Sequence, residues 1–396
     1  MIGTITVDGV DIPLFRTKIA DKPNLTIRLY EYENPHQANK DETDDDNEAT
    51  EADDKAPKIS KVTDFEVQKD ILTTKSPVFS SMLGSHWREA GENTVELHED
   101  TFISTTALEI WFRVFHDKIN QDEHCKGVTR AQLWHLCEAA VKYGFRRADL
   151  KDWFGSWFDQ VEGSELSEQI ARELLYPCFA FGNIHAFARV TKYLAYNATG
   201  YITEVNPTPF RGLHLPSRCL QQLNYAKSGL RTSLHRKLWT PFNVIFKRAS
   251  CGCKETAIYN FQKRLTDERI WPLEETLRKD SMETVLHRLQ GTDCRRPIWD
   301  RNCKGPGRCG SWHWEIDLHQ AANDMWSKFD GLCLDCMDHS KPKTGDTDED
   351  YWRHQEFDDE DGFYCSGFRH GRTSWFHSYM GRKSFKKARD AWENRV

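Results

Sequence analysis

At 396 residues with 14 Trp and 22 Phe, the chain is long enough for two or three domains with cores of their own, and no apolar run approaches the ~20 residues that span a bilayer. The formal charge of −7 is unevenly spread: nine acidic and no basic side chains lie between Asp41 and Asp54, and without them the remainder stands at +2, so net charge alone does not mark a nucleic-acid or membrane binder. The N-terminus lacks the charged start, apolar centre and small-residue cleavage site of a signal peptide, so an intracellular protein of nucleus or cytoplasm is expected, in which 12 cysteines do not read as a disulfide framework.

Residues 1–21 read as a hairpin or tail, with Thr4–Val7 and Ile12–Phe15 flanking Asp8-Gly9 and no helical stripe. Leu25–Tyr32 is a strand by alternation. The acidic stretch 38–58 holds few aromatics and much like charge, so it cannot bury enough surface to offset its ordering entropy and is expected to be a disordered insertion.

Phe65–Leu83, FEVQKDILTTKSPVFSSML, changes period once: Phe65 and Val67 alternate as a strand, Ile71 and Leu72 enter a short helix, and Ser76-Pro77 restarts the chain. Serine at an N-cap and proline at the first helical position open a second helix carrying Val78, Phe79, Met82 and Leu83. This run, followed by Trp87, Glu89 and the strand-like Val95-Glu96-Leu97, resembles the core signature of a BTB/POZ domain, more narrowly that of BTB proteins of filamentous fungi. The resemblance implies an α+β fold, a small sheet flanked by helices, over residues 22–160. It also implies a protein-binding role, with itself, a cullin-type ubiquitin ligase scaffold or a transcriptional co-regulator as partner.

If scaffold binding carries over, the contact is expected from the Ser76–Leu83 and Leu108–Phe115 helices, through Phe79, Met82, Leu83, Trp111 and Phe115. Two departures from the family appear. No helix precedes the first strand, which weakens a homodimer expectation. The positions that carry a charged pair in BTB repressors hold Asn24 and Lys69, with Gln68 for the usual histidine, so that pocket is expected to be unpaired.

Three helical stripes follow: Leu108, Trp111, Phe112 and Phe115; then Leu133, Leu136, Cys137, Ala140 and Val141 within 130–143; then Leu150, Trp153, Phe154, Trp157, Phe158 and Val161. Each predicts a buried face. A mainly helical extension is expected over 161–290, broken near Pro207, Pro209, Pro216 and Trp271-Pro272. Within it, residues 211–264 hold eleven Lys or Arg against one Glu255, with Tyr225, Trp239, Phe242 and Phe246 interleaved. Such a segment suits nucleic-acid phosphates and stacked bases. The competing expectation, and the favoured one, is neutralisation by the chain's own acidic stretches, 41–54 or 346–361.

Residues 291–396 are expected to form a small Cys-rich domain. Cys333-Leu-Asp-Cys336 has the gap of a tetrahedral zinc pair, Cys303 and Cys309 form a looser glycine-rich knuckle, and Cys365 precedes His370. Structural zinc is expected in one site from Cys303, Cys309, Cys333 and Cys336, with Cys365 and His370 joining Cys251 and Cys253 in a second, or in a crossed pairing. Plain reduced thiols are the alternative. The wording of 329–337, 340–354 and 369–382 resembles the C-terminal region of the same fungal BTB proteins. No nucleophile elbow, phosphate-cradling loop, HExxH helix or dinucleotide fingerprint occurs, so no enzyme is expected.

Overall fold

The computed structural model describes residues 2–7, 9–32, 58–84, 91–99, 104–119, 123, 127–162, 166–292 and 318–334, with the backbone of 363–365 and 368–370. The fold is α+β, and the chain divides into two compact units. The first comprises Met1–Gly163 with Asn206–Leu213, the second Ser164–Val205 with His214–Val396. Among the described residues no helix is long and apolar enough to cross a membrane.

The first unit is built on a five-stranded sheet: β1 (Ile2–Val7), β2 (Val10–Lys18), β3 (Leu25–Tyr32), β4 (Ile59–Val67) and β5 (Thr94–Glu99), in the order β1-β2-β4-β3-β5. β1 and β2 form the expected hairpin about Gly9, whose φ of +80° suits glycine, and β2 then pairs parallel with β4. β3 runs antiparallel to β4, Ile27 opposite Phe65, and parallel to β5, Ile27 opposite Val95. Period-two alternation buries Leu25, Ile27, Leu29, Phe65, Val67, Val95 and Leu97 on one face. The other face carries a smaller cluster of Ile12, Leu14, Tyr30 and Val62.

The helices of this unit are α1 (Lys69–Lys75), α2 (Pro77–Met82), α3 (Thr105–Phe115), α4 (Arg130–Tyr143) and α5 (Lys151–Glu162), the last entered through a 3₁₀ turn at Arg147–Leu150. α3 presents Leu108, Trp111, Phe112 and Phe115 to the core, and the Phe112 ring meets Phe65 edge-on at 5.4 Å. Thr129 and Gln132 close a reciprocal capping box at the start of α4, and Gly144, at φ +67°, ends it. A Cβ on Gly144 would lie 2.7 Å from the Pro77 ring, so only glycine lets α4 end against the start of α2.

One expected core position is corrected. Val141 is 56% exposed, and α4 instead turns Glu138 inward, where its carboxylate accepts from Thr208 Oγ at 3.1 Å. The hydroxyl comes from 206–213, a stretch the sequence assigns to the helical extension.

The second unit contains α6 (Glu168–Ala180), α7 (Ile184–Asn197), α8 (Ser217–Arg248), α9 (Lys254–Asp267), α10 (Leu273–Lys279), α11 (Met282–Gly291) and α12 (Leu318–Trp326). Pro216 and Pro272 stand at the N-caps of α8 and α10, while α8 runs through Pro241. Phe329–Leu334 threads against α7: the Leu332 amide donates to Thr191 Oγ at 2.8 Å, and Gly331 sits at φ +101° where a Cβ would overlap the Ala188 carbonyl. Tyr196 on α7 donates to Met325 O at 2.6 Å and stacks on Trp326. A two-stranded ladder, β6 (Phe363–Cys365) with β7 (Phe368–His370), is described by its backbone alone.

Candidate functional site

The Phe65–Leu83 run folds as its local chemistry dictates. Ser76 Oγ accepts from the Phe79 amide at 3.0 Å, capping α2, and donates to Tyr143 O at 2.6 Å. Pro77 occupies the first helical position, where no amide partner is needed. Phe79 then stacks on Tyr143, centroids 5.3 Å apart, and meets Phe112 at 6.2 Å.

These contacts place the expected binding anchors. Phe79, Leu83, Trp111 and Phe115 are all buried, and Trp111 Nε1 donates to Leu136 O at 3.0 Å. Each is a core side chain of the first unit. The reason is geometric: the 3.6-residue stripe that made them conspicuous is the inward face. Met82 alone of the five is half-buried. The outward surface of α2 shows Pro77, Ser80 and Ser81, with Val78 and Met82 half-buried, and α4, which packs on α2, adds Val141.

A second constellation lies on the sheet face away from α1 and α3, and only its individual residues were readable in sequence. Arg28 grips Asp64 bidentately, Nε–Oδ1 2.8 Å and Nη2–Oδ2 3.0 Å, a pairing that pushes the guanidinium pKa up. Tyr30 donates to Glu96 Oε1 at 2.8 Å and stacks on His98, and Tyr32 Oη lies 2.9 Å from His98 Nδ1. The signal was the polar alternation Arg28, Tyr30, Tyr32 in a strand whose positions 25, 27 and 29 are apolar, but the partner strands were not evident.

The pocket expected to be unpaired is satisfied by neutral bonds. Asn24 Oδ1 accepts from the Lys69 amide at 2.8 Å, and the Gln68 amide donates to His116 Nε2 at 3.0 Å.

Of the expected zinc ligands, Cys251 and Cys253 come together, Sγ to Sγ 3.4 Å, beside Ile245, Ala249 and Ala257. Cys333 is buried in the segment on α7. Cys303, Cys309 and Cys336 lie outside the described residues. The β6–β7 register sets Cys365 opposite Phe368 and His370 opposite Phe363. Among the described residues no three His, Cys, Asp or Glu side chains gather as a metal site.

The basic segment 211–264 is carried by α8 and α9. Lys237 pairs with Asp324 at 2.6 Å, Lys263 with Asp267 at 2.9 Å and His235 with Glu274 at 3.3 Å. Of the interleaved aromatics, Phe242 is core and Trp239 stacks between His235 and Trp271, while Phe246 is 72% exposed. Both acidic stretches expected to neutralise the segment lie outside the described residues. Comparison with family models, curated proteins and solved structures finds no match to this chain.

Proposed function

We propose that the first unit is a BTB/POZ-type protein-interaction module and that the chain acts as an adaptor rather than an enzyme. The observation that carries this reading is the Phe65–Leu83 run: of the eight apolar positions that give it its resemblance, Phe65, Val67, Leu72, Phe79 and Leu83 are core positions, Ile71, Val78 and Met82 are half-buried, and Ser76 ties α2 to the end of α4. The signature is therefore a folding signature, and binding falls to the surface it supports, the outward side of α2 with Val141. Small hydroxyls, a rigid proline and half-exposed Val78 and Met82 suit a protein partner that lays an apolar side chain on α2.

The cysteine-rich C-terminal region enters this reading as a zinc-stabilised accessory, on the strength of the C-x2-C spacing and the touching thiols of Cys251 and Cys253. A nucleic-acid role for residues 211–264 has weaker support, because Lys237, Lys263 and His235 already meet carboxylates. Affinity purification from cells, with the tag at either end and identification by mass spectrometry, tests the adaptor reading. A cullin-type scaffold or a co-regulator recovered with both baits is the expected result. Recovery of neither class with either bait sinks it.

A further inference from the structure

Near the N-terminal half of α8 a cavity of about 490 Å³ opens between that helix and the Thr199–Tyr201 loop. Two cations line it, Lys227 and Arg231, and they differ from Lys237 and Lys263 of the same basic segment. The Lys227 ammonium bonds to Gly200 O, and Arg231 Nη2 donates to Thr199 O at 3.0 Å and Leu277 O at 2.8 Å. All these partners are main-chain carbonyls. Among the described residues no carboxylate forms an ion pair with either, whereas the neighbouring Arg172 is held by Glu168.

Lys227 is buried and Arg231 half-buried, so their charges lose hydration with no carboxylate in contact among the described residues, Glu168 acting on Lys227 only from beyond ion-pair distance, a cost of several kcal/mol per ion in general. Burial, reinforced by Arg231 and only partly offset by Glu168, pushes the Lys227 pKa down to about 8. Burial likewise lowers that of Arg231. An ammonium has three donors and a guanidinium five, so the carbonyl bonds leave donors of both to spare. Tyr201 and Tyr225, both exposed, and the Ser228 hydroxyl stand along the same cavity.

We propose that this cavity binds a small phosphomonoester of the nucleoside monophosphate class, its phosphate on Lys227 and Arg231 and its base against Tyr201 or Tyr225. A dianion supplies the missing counter-charge to a point cation and a planar fork together. The volume falls within the range of small-molecule sites and exceeds what a bare phosphate fills. An aromatic face stacks any base without reading its sequence. A long strand is less suited, because two of the cations farther along the helices, Lys237 and Lys263, are already paired. The proposal stands or falls apart from the adaptor reading.

Calorimetric titration of the full chain with adenosine monophosphate, inorganic phosphate and a short single strand tests it. The nucleotide is expected to bind at least about tenfold, or ~1.4 kcal/mol, more tightly than phosphate. Lys227→Met and Ser228→Glu should each weaken it at least about tenfold, and Lys263→Met should not. Ser228→Glu sits at an exposed helical position and supplies the carboxylate itself, so it decides the matter even if Lys227→Met does not fold. Three results overturn the proposal: no nucleotide binding, binding indifferent to Ser228→Glu, or affinity for the strand alone that falls steeply with salt. Equal affinity for phosphate and nucleotide overturns its nucleoside part.

Discussion

Ser76 shows how much a single side chain can commit. Its cap on α2 follows from a local rule that any reader of Ser-Pro before an apolar stripe can apply. Its second bond, to a carbonyl 67 residues later, follows from no local rule. Removing the hydroxyl deletes a cap, typically about 1 kcal/mol, and orphans a buried acceptor, about 1–3 kcal/mol. Ser76→Ala should therefore cost roughly 2–4 kcal/mol, read as a lower urea midpoint at unchanged slope. A loss under about 0.5 kcal/mol would mean that the Tyr143 bond contributes nothing. Phe79, Trp111 and Phe115 carry the opposite lesson: an aromatic at helical spacing was legible as important, but burial and binding leave the same mark in sequence.

Element boundaries were the most legible feature, because caps and periods are local. Strand 25–32 and helix 130–143 begin and end where alternation and the helical stripe place them, and the structure adds Thr129 and Gly144 as the caps of the helix. What the stripe could not set was the rotation of α4, which Glu138 and its distant partner Thr208 fix, leaving Val141 outside.

The junction of α3 with α1 makes a prediction of its own. His116 caps α3 with Nδ1 on Phe112 O at 2.7 Å and accepts the Gln68 amide at Nε2, so its working form is neutral, and burial lowers its pKa. His135 on α4 is pushed by burial down to about 4, and its buried Nδ1 has no partner among the described residues. Both folded values lie below the ordinary 6.5, so as pH falls the unfolded chain takes up protons first. Stability should be full above 6.5 and fall from there toward about 4, by roughly 1–3 kcal/mol. Urea midpoints across that window, compared with those of His135→Leu, isolate the His135 part from the carboxylates. Parallel curves for the two proteins would contradict it.

At the scale of the molecule, composition foretold more than one core, but not that residues 206–213 belong with the first. The charge count found the basic segment. Which of its cations are neutralised is a tertiary fact, and among the described residues Asp324 of α12 is what Lys237 meets. The zinc proposal is also tested at this scale. Because Cys333 is buried against α7, Cys333→Ser would lower the melting temperature with or without metal, so metal content is the informative quantity. Protein purified without chelator should carry at least about one zinc per chain, and less than about half an equivalent would show the thiols to be ordinary side chains.

The central claim, that the outward side of α2 with Val141 receives a protein partner, is tested most directly by quantitative capture with the double variant Met82→Glu, Val141→Glu. Neither side chain is in the buried core, so the melting temperature should shift little while recovery of the partner falls at least about tenfold, ~1.4 kcal/mol of affinity. Full recovery of the same partner by a variant that melts like the parent would contradict the account.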